Sequence, residues 1–348
     1  MRYSRGSRAV FRLAPFAAAV LMFGTACSSS PASPSGGSPT PVSPSPIGTT
    51  APRPSPLPSQ PVSALKRRVT SIVRVGGQPD WQVPVTGSLF VANDGLGAVQ
   101  RIDTKTNKVV AVIKPGRFAE PCDGMAAGFG ALWIPDCASE VVDRVDLSTN
   151  KVVARVHSGI ADSEGYIAVG AGSVWVVSAT NTLSRIDPVT GVVASRIAVP
   201  AGSVAVAFGF GAAWVTVPDA GHLVKVNPST NAVDATITVG TEPRFLSAGE
   251  GAVWVLNQAD GSVTRVDPAT GQVTQIQTGS SGSGGCIATG LGAVWVTIPN
   301  IPFTRIDAKT SAVTEQFHGP GGDCLSVGDR SVWLSNNKLG NVWRIPPS

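Results

Sequence analysis

The sequence predicts an all-β fold, a seven-bladed β-propeller of four-stranded blades, and three observations carry that prediction. An aromatic residue recurs at Phe90, Trp133, Trp175, Trp214, Trp254, Trp295 and Trp333, at intervals of 43, 42, 39, 40, 41 and 38 residues. In each copy the first two apolar runs are continuous and the next two alternate with polar residues, so inner strands should be buried on both faces and outer strands on one. The last copy stops one strand short, while a strand belonging to no copy precedes the first. A four-strand repeat of about 40 residues is a blade signature. The Val, Thr and Gly content and the missing 3.6-residue pattern exclude helical solenoids of similar period.

In chain order, Arg2, Arg5, Arg8 and Arg12 precede an apolar run over residues 13–23. This reads as a secretory signal, residues 1–26, too short to span a bilayer. Gly24-Thr25-Ala26-Cys27 resembles the lipobox of bacterial lipoproteins, with Gly24 where that pattern favours Leu. The resemblance implies cleavage before Cys27, lipidation of its sulfur and anchoring on the outer face of the cytoplasmic membrane. Residues 27–61 are then a Pro/Ser-rich linker. Such a composition cannot bury enough apolar surface to offset the entropy of ordering, and its prolines keep it extended as a spacer. The chain carries 27 Lys+Arg against 22 Asp+Glu; without the four signal arginines the balance is 23 against 22, or +1. No basic patch then argues for nucleic acid.

The folded part, residues 68–348, is one unit repeated. In the third copy, apolar residues 166–169 and 174–177 flank the turn Gly170-Ala171-Gly172 and give the two inner strands. A basic residue follows each aromatic by eleven positions (Arg101, Arg144, Lys225, Arg265) or ten (Arg185, Arg305). An Asp and a tight turn come next, as in Asp187-Pro188-Val189-Thr190-Gly191, and residues 192–199 supply the fourth strand. The seventh copy ends at Trp343-Arg344-Ile345-Pro346, without a fourth strand. Val69-Thr70-Ser71-Ile72-Val73-Arg74-Val75-Gly76 matches fourth strands such as Ala235-Thr236-Ile237-Thr238-Val239-Gly240. Residues 69–75 should therefore complete the last blade and close the ring, which removes unpaired sheet edges.

The repeated Gly-Ala-Val-Trp-Val and Arg-[Ile/Val]-Asp-Pro-x-Thr-Gly unit resembles the YVTN-type propeller repeat and, equally, that of the streptogramin B lyase family. The resemblance covers residues 68–348 and implies the fold. It is not specific for function, since these families include binding proteins, lipoproteins and enzymes. Its lyase branch implies a metal-dependent carbon–oxygen lyase, with histidines and glutamates around a magnesium ion.

Most repeated residues have structural readings. The tryptophans, inside apolar strands, are packing residues between blades rather than a stacking platform. The Asp before Pro-x-Thr-Gly suits capping of a tight turn. The Arg/Lys column can pair across strands or turns, and the glycines supply positive φ. With Cys27 lipidated, four cysteines remain, an even number suited to an oxidising compartment. Cys286 and Cys324 each lie nine residues before their tryptophans, and Cys122 and Cys137 fall at adjoining ends of one hairpin. The expected disulfides are Cys122–Cys137 and Cys286–Cys324. The two other connectivities and a thiolate metal site are the alternatives.

Ligands of propellers usually sit where inner strands begin. Ten residues before each aromatic stand Asp80, Asp123, Gly165, Val204, Arg244, Gly285 and Asp323. Their variety stands out, because packing alone would make repeat positions alike. Three residues after the aromatic, Asn93, Asp136, Ser178, Asn257 and Asn336 should join the same side. The ligand expected there is polar or cationic, or a divalent metal (Mg or Ca) held by oxygens. His157, His222 and His318 also fall at this end by strand counting, with Glu120, Glu164 and Glu242 nearby, but none occupies a recognisable lyase motif.

Two functions of different class follow. One is a non-catalytic binding protein, a monomer held to the membrane by its lipid and presenting this face to a small polar molecule, glycan or protein. The other is the metal-dependent lyase, which requires a histidine within side-chain reach of a glutamate over the channel mouth.

Overall fold

The computed structural model describes residues 59–115, 122–162, 164, 166–179, 181–279 and 281–347. The signal, Cys27 and nearly all of the linker lie outside them. No helix among the described residues is long and apolar enough to cross a membrane. Seven sheets form the blades, over residues 79–113, 126–156, 167–198, 206–238, 243–276, 286–318 and 325–345, each with antiparallel strands in sequence order. Blade 7 is completed from the other end of the chain. Ser71–Arg74 pairs antiparallel with Asn341–Ile345, Ser71 opposite Arg344 and Arg74 opposite Asn341. The orphan strand closes the ring as expected.

The second strand of each blade is buried along its length save Ala179 at the end of one, and fourth strands alternate, as in Lys108–Ile113 with Val110 and Val112 outward. The six tryptophans and Phe90 are among the largest fully buried side chains. Each indole N–H has a fixed partner five residues back, such as Trp175 Nε1 donating to Gly170 O at 3.0 Å and Trp295 Nε1 to Gly290 O at 2.9 Å. The neighbouring blade explains this glycine. A Cβ on Gly170 would lie 2.0 Å from the Phe208 ring of blade 4, and one on Gly328 would lie 2.3 Å from Pro84 of blade 1. So the glycine five residues before each tryptophan serves close approach between blades, while the second glycine of a Gly-x-Gly turn, such as Gly172 at φ +69°, serves a positive φ.

The basic column also stitches blade to blade. A cationic group lies over every ring of the aromatic column, from Arg344 over Trp333 at 4.9 Å to Arg265 over Trp254 at 5.8 Å. Several of these cations also reach the next blade's turn: Arg101 Nη1 to Leu147 O at 2.8 Å, Arg185 Nη1 to Pro228 O at 2.7 Å, Lys225 Nζ to Pro268 O at 2.9 Å. Arg344 does the same across the closure, to Thr104 O at 2.5 Å.

The aspartates cap those turns. Asp146 Oδ1 accepts from the N–H groups of Ser148 and Thr149 at 3.0 and 2.8 Å and from both hydroxyls at 2.6 and 2.9 Å. The Ser148 hydroxyl and the Thr149 amide lead in holding its pKa down, to about 2. Asp103, Asp187, Asp267 and Asp307 are lowered by the same kind of bonds. A carboxylate with a folded pKa below its unfolded value stabilises above the unfolded pKa, about 3.9, and loses that contribution as pH falls through the folded value. Asp146→Ala should therefore destabilise at pH 7 and converge on the wild type near pH 2, as read by urea titrations at both pH values.

Both disulfides form as expected. Cys122–Cys137 joins Cα atoms 5.8 Å apart within blade 2, and Cys286–Cys324 joins Cα atoms 4.9 Å apart across the first strands of blades 6 and 7. The described residues before 68 also carry structure. Gln60 and Pro61, within the range read as linker, pair in parallel with Phe317 and His318 on the outer edge of blade 6. The helix Val62–Lys66 follows and buries Leu65 completely, so an apolar plug ties this segment down.

Candidate functional site

Where the first strands begin, blades 1, 2, 3, 5, 6 and 7 surround a cavity of about 400 Å³. Its floor is aromatic. Trp81, Tyr166 and Phe245 come from blades 1, 3 and 5 yet touch in sequence, edge to face, with centroids 5.5 and 5.9 Å apart. Three rings from alternate blades can meet only near the ring axis, so they plug the channel beneath the mouth. Trp81 and Phe245 line the cavity directly.

Above this floor the chemistry is acidic. Asp80, Asp123, Glu164 and Asp323 line the cavity. The carboxylates of Asp80 and Asp123 gather with that of Asp94 so that their oxygens lie within 4.8 Å of one another. Asp80 and Asp123 begin first strands; Asp94 opens the short 3-10 turn Asp94–Leu96 that follows the second strand of blade 1. Burial, then repulsion from Asp123, Asp323, Asp94 and Glu164, pushes the Asp80 pKa up to about 9. Burial, with Asp94 and Glu164, pushes Asp123 to about 7, against the pull of the Trp81 backbone N–H. Asp123 Oδ1 is buried without a hydrogen-bond partner. Asp323 is also raised by burial, although it accepts from Asn337 N at 2.6 Å and faces Lys338. Like charges crowded at a half-dry mouth cannot all ionise, so part of the cluster holds protons near neutrality.

The one arginine of the ring is committed elsewhere. Arg244 reaches from blade 5 to the blade 3 approach, with Nη2 at 2.8 Å from Asp162 Oδ1 and 3.2 Å from Glu164 Oε1. Tyr166 completes the group by donating from its hydroxyl to Glu164 Oε2 at 2.6 Å. Burial pulls the Arg244 pKa down, but Glu164 and Asp162 more than offset it, and the net shift is upward. A guanidinium shared between two carboxylates is poorly placed to receive an anionic ligand.

Of the first-strand positions, Asp80, Asp123, Gly285 and Asp323 meet at the cavity, Arg244 pairs with Asp162 and Glu164 instead of lining it, and Val204 packs against the core. Gly165 and Glu120 lie outside the described residues. The second-strand positions need correction. Asn93, Asp136 and Asn257 are fully buried and do not line the cavity. Asn93 bonds Gly76 O, Gln100 Oε1 and the Gln78 N–H; Asn257 bonds Ser262, Thr264 and the Gly240 N–H. Asp136 Oδ1 accepts from Ser139 N inside blade 2. These amides and the carboxylate tie down blade connections, because the end of a second strand points into the sheet junction rather than the mouth. Asn336 touches the cavity but holds the Gly322 N–H at 3.0 Å. Sequence reasoning missed Trp81, Phe245 and Asp94. Trp81 carried a signal, as a tryptophan outside the repeat column.

The histidines stand apart. His157 follows the fourth strand of blade 2, His222 opens the third strand of blade 4, and His318 ends the fourth strand of blade 6. None lines the cavity, and neither does Glu242.

Comparison with known proteins places the architecture. No family model matches the chain, and no curated protein matches its sequence. Solved structures do match. A streptogramin B lyase aligns at 15% identity and TM-score 0.65, covering 80% of this chain and 95% of that one. Virginiamycin B lyase from Staphylococcus aureus aligns at 14% and 0.67, covering 80% and 99%. Hydrazine synthase from Kuenenia stuttgartiensis aligns at 14% and 0.67, covering 78% and 96%. The fold is that of a seven-bladed propeller. At these identities the likeness extends to the fold alone, and a mitotic checkpoint complex aligns at TM-score 0.68 with 10% identity.

Proposed function

We propose that this protein is an extracytoplasmic, lipid-anchored propeller that binds a small organic cation at its channel mouth without catalysing a reaction. The observation that carries the reading is the convergence of the Asp80, Asp94 and Asp123 carboxylates within 4.8 Å over a floor of Trp81 and Phe245. Carboxylates that retain protons at neutral pH are short of positive charge, and an ammonium or guanidinium group would supply it. Aromatic faces add cation–π attraction and exclude water. The cavity exceeds what one metal ion needs and suits a molecule with an apolar or polar body attached to the cation. The anchor reading supports the assignment through the signal-like N-terminus and Cys27, and the disulfides accord with an oxidising compartment.

A second reading, a metal-dependent lyase, draws on the same three carboxylates as an oxygen site for a divalent cation and on the shared fold. The positions of His157, His222 and His318 on outer strands weigh against it. A thermal-shift panel separates the readings, using agmatine, putrescine, Mg²⁺, Ca²⁺, galactose and Mg²⁺ with quinupristin. Agmatine or putrescine should raise Tm by roughly 5–10 °C at a hundredfold excess over Kd. The shift should shrink in 0.5 M salt, as screening requires for a partly open charged site. Stabilisation by Mg²⁺ with quinupristin alone would replace the binding reading by the lyase.

A further inference from the structure

One wall of the cavity is a strip of five residues, Gly319, Pro320, Gly321, Gly322 and Asp323. Three are glycines with positive φ, at +134°, +105° and +78°, so side-chain packing within the strip does little to fix its path. Within it the Gly322 N–H donates to Asn336 Oδ1 at 3.0 Å, and the rest of its course is set at its ends. At the far end Asp323 adjoins Cys324, stapled to Cys286, and its N–H donates to Ser335 O at 3.0 Å. At the near end the Gly319 N–H donates to Asn300 O at 2.9 Å, and further holding groups come from the first described residues of the chain. Gln60 and Pro61 pair with Phe317 and His318, and Ser59 Oγ lies 3.1 Å from His318 Nδ1. A Cβ on Gly319 would lie 2.7 Å from Val62 Cγ1. Leu65, fully buried, packs in one cluster with Phe317 and Leu325, one on each side of the strip. Arg68 reaches Glu315 at 2.8 Å and lies over Phe317 at 5.7 Å.

We propose that the segment Ser59–Arg68 is a positioning element of the channel mouth, which sets the glycine wall 319–323 and thereby couples the N-terminal attachment point to occupancy of the cavity. The proposal rests on the mouth being the binding site. Val62 and Leu65 touch no cavity volume themselves; they act through Phe317 and Gly319. The coupling is reciprocal: a ligand that orders the wall tightens the hold on the segment, and loosening the segment weakens the ligand.

Hydrogen exchange by mass spectrometry on the full chain tests this, with and without agmatine, for wild type, Val62→Ala, Leu65→Ala and Leu65→Met. Exchange of the 319–323 amides should rise by about tenfold in Leu65→Ala, less in Val62→Ala, and return toward wild type in Leu65→Met. The strand Ile167–Gly170 of blade 3 should keep its rate in every variant, and agmatine affinity should fall about fivefold in Leu65→Ala. Unchanged exchange at 319–323, or an equal rise in Ile167–Gly170, would overturn the positioning role. If agmatine fails to bind the wild type, the cation reading falls, while the ligand-free exchange rates still decide whether the segment holds the wall.

Discussion

Replacing Asp80 and Asp123 together by asparagine should make the ligand-free protein more stable while removing its capacity to bind a cation. The sign follows from linkage. With folded pKa values pushed up to about 9 and about 7, both groups ionise in the unfolded chain, near pH 3.9, well before they ionise in the folded one. Over that interval the folded state binds more protons, so stability falls as pH rises from about 4 toward 9. Asparagine removes both the desolvation cost and the repulsion from Asp94, Asp323 and Glu164. Allowing for relaxation and for water at the mouth, the gain at pH 8 is on the order of 2 kcal/mol, or roughly 4–8 °C in Tm. It should shrink to near zero at pH 4. Equilibrium unfolding at both pH values measures it, and a double variant less stable than wild type at pH 8 would show that the cluster is not held against its own repulsion.

The second large effect belongs to the ring closure. Val73 is 4% exposed and packs with Leu89 and Val91 of blade 1 and with Trp333 and Val342 of blade 7. It therefore sits at the seam that joins the two ends of the chain. Val73→Asp places a charge among those residues and should cost about 4 kcal/mol or more. The loss should be cooperative, because opening the seam exposes sheet edges on both sides. The variant is expected to unfold at a denaturant concentration far below wild type, with far-UV circular dichroism and tryptophan fluorescence changing together. Ile72→Asp, at 46% exposure one residue earlier on the opposite face, is the control and should cost little. Similar stability of the two variants would mean that residues 69–75 do not close the ring.

The architecture was legible because a propeller repeats its packing problem. Every blade needs an aromatic with a cation over its ring, and six of the seven place a glycine beneath the next blade, so the same letters return near every fortieth residue. The closing strand was legible for the same reason, as a fourth strand out of place. The site was legible only where it breaks the repeat. Asp80, Asp123 and Asp323 vary at a position that packing alone would make uniform, and they meet at the mouth. Arg244 varies too, but nothing in its neighbourhood announces partners at Asp162 and Glu164, two blades away in sequence. Asn93 and Asn257 share the polarity of ligand-binding residues, yet polarity at a strand end serves equally to satisfy the backbone of a buried turn. Gln60–Lys66 was hidden for a different reason: with Leu65 its single fully buried residue, so short a segment shows no periodicity.

The most direct test of a cation site at the mouth is calorimetric titration of agmatine into the full chain at pH 7.5, in buffers of different ionisation enthalpy. If the guanidinium or amine seats among Asp80, Asp94 and Asp123, binding should show one site per chain. It should release close to one proton, because Asp80 must ionise to receive the charge. Asp80→Asn should lose both the release and most of the affinity. Binding without proton release, or binding that survives Asp80→Asn unchanged, would place the ligand elsewhere and contradict the assignment.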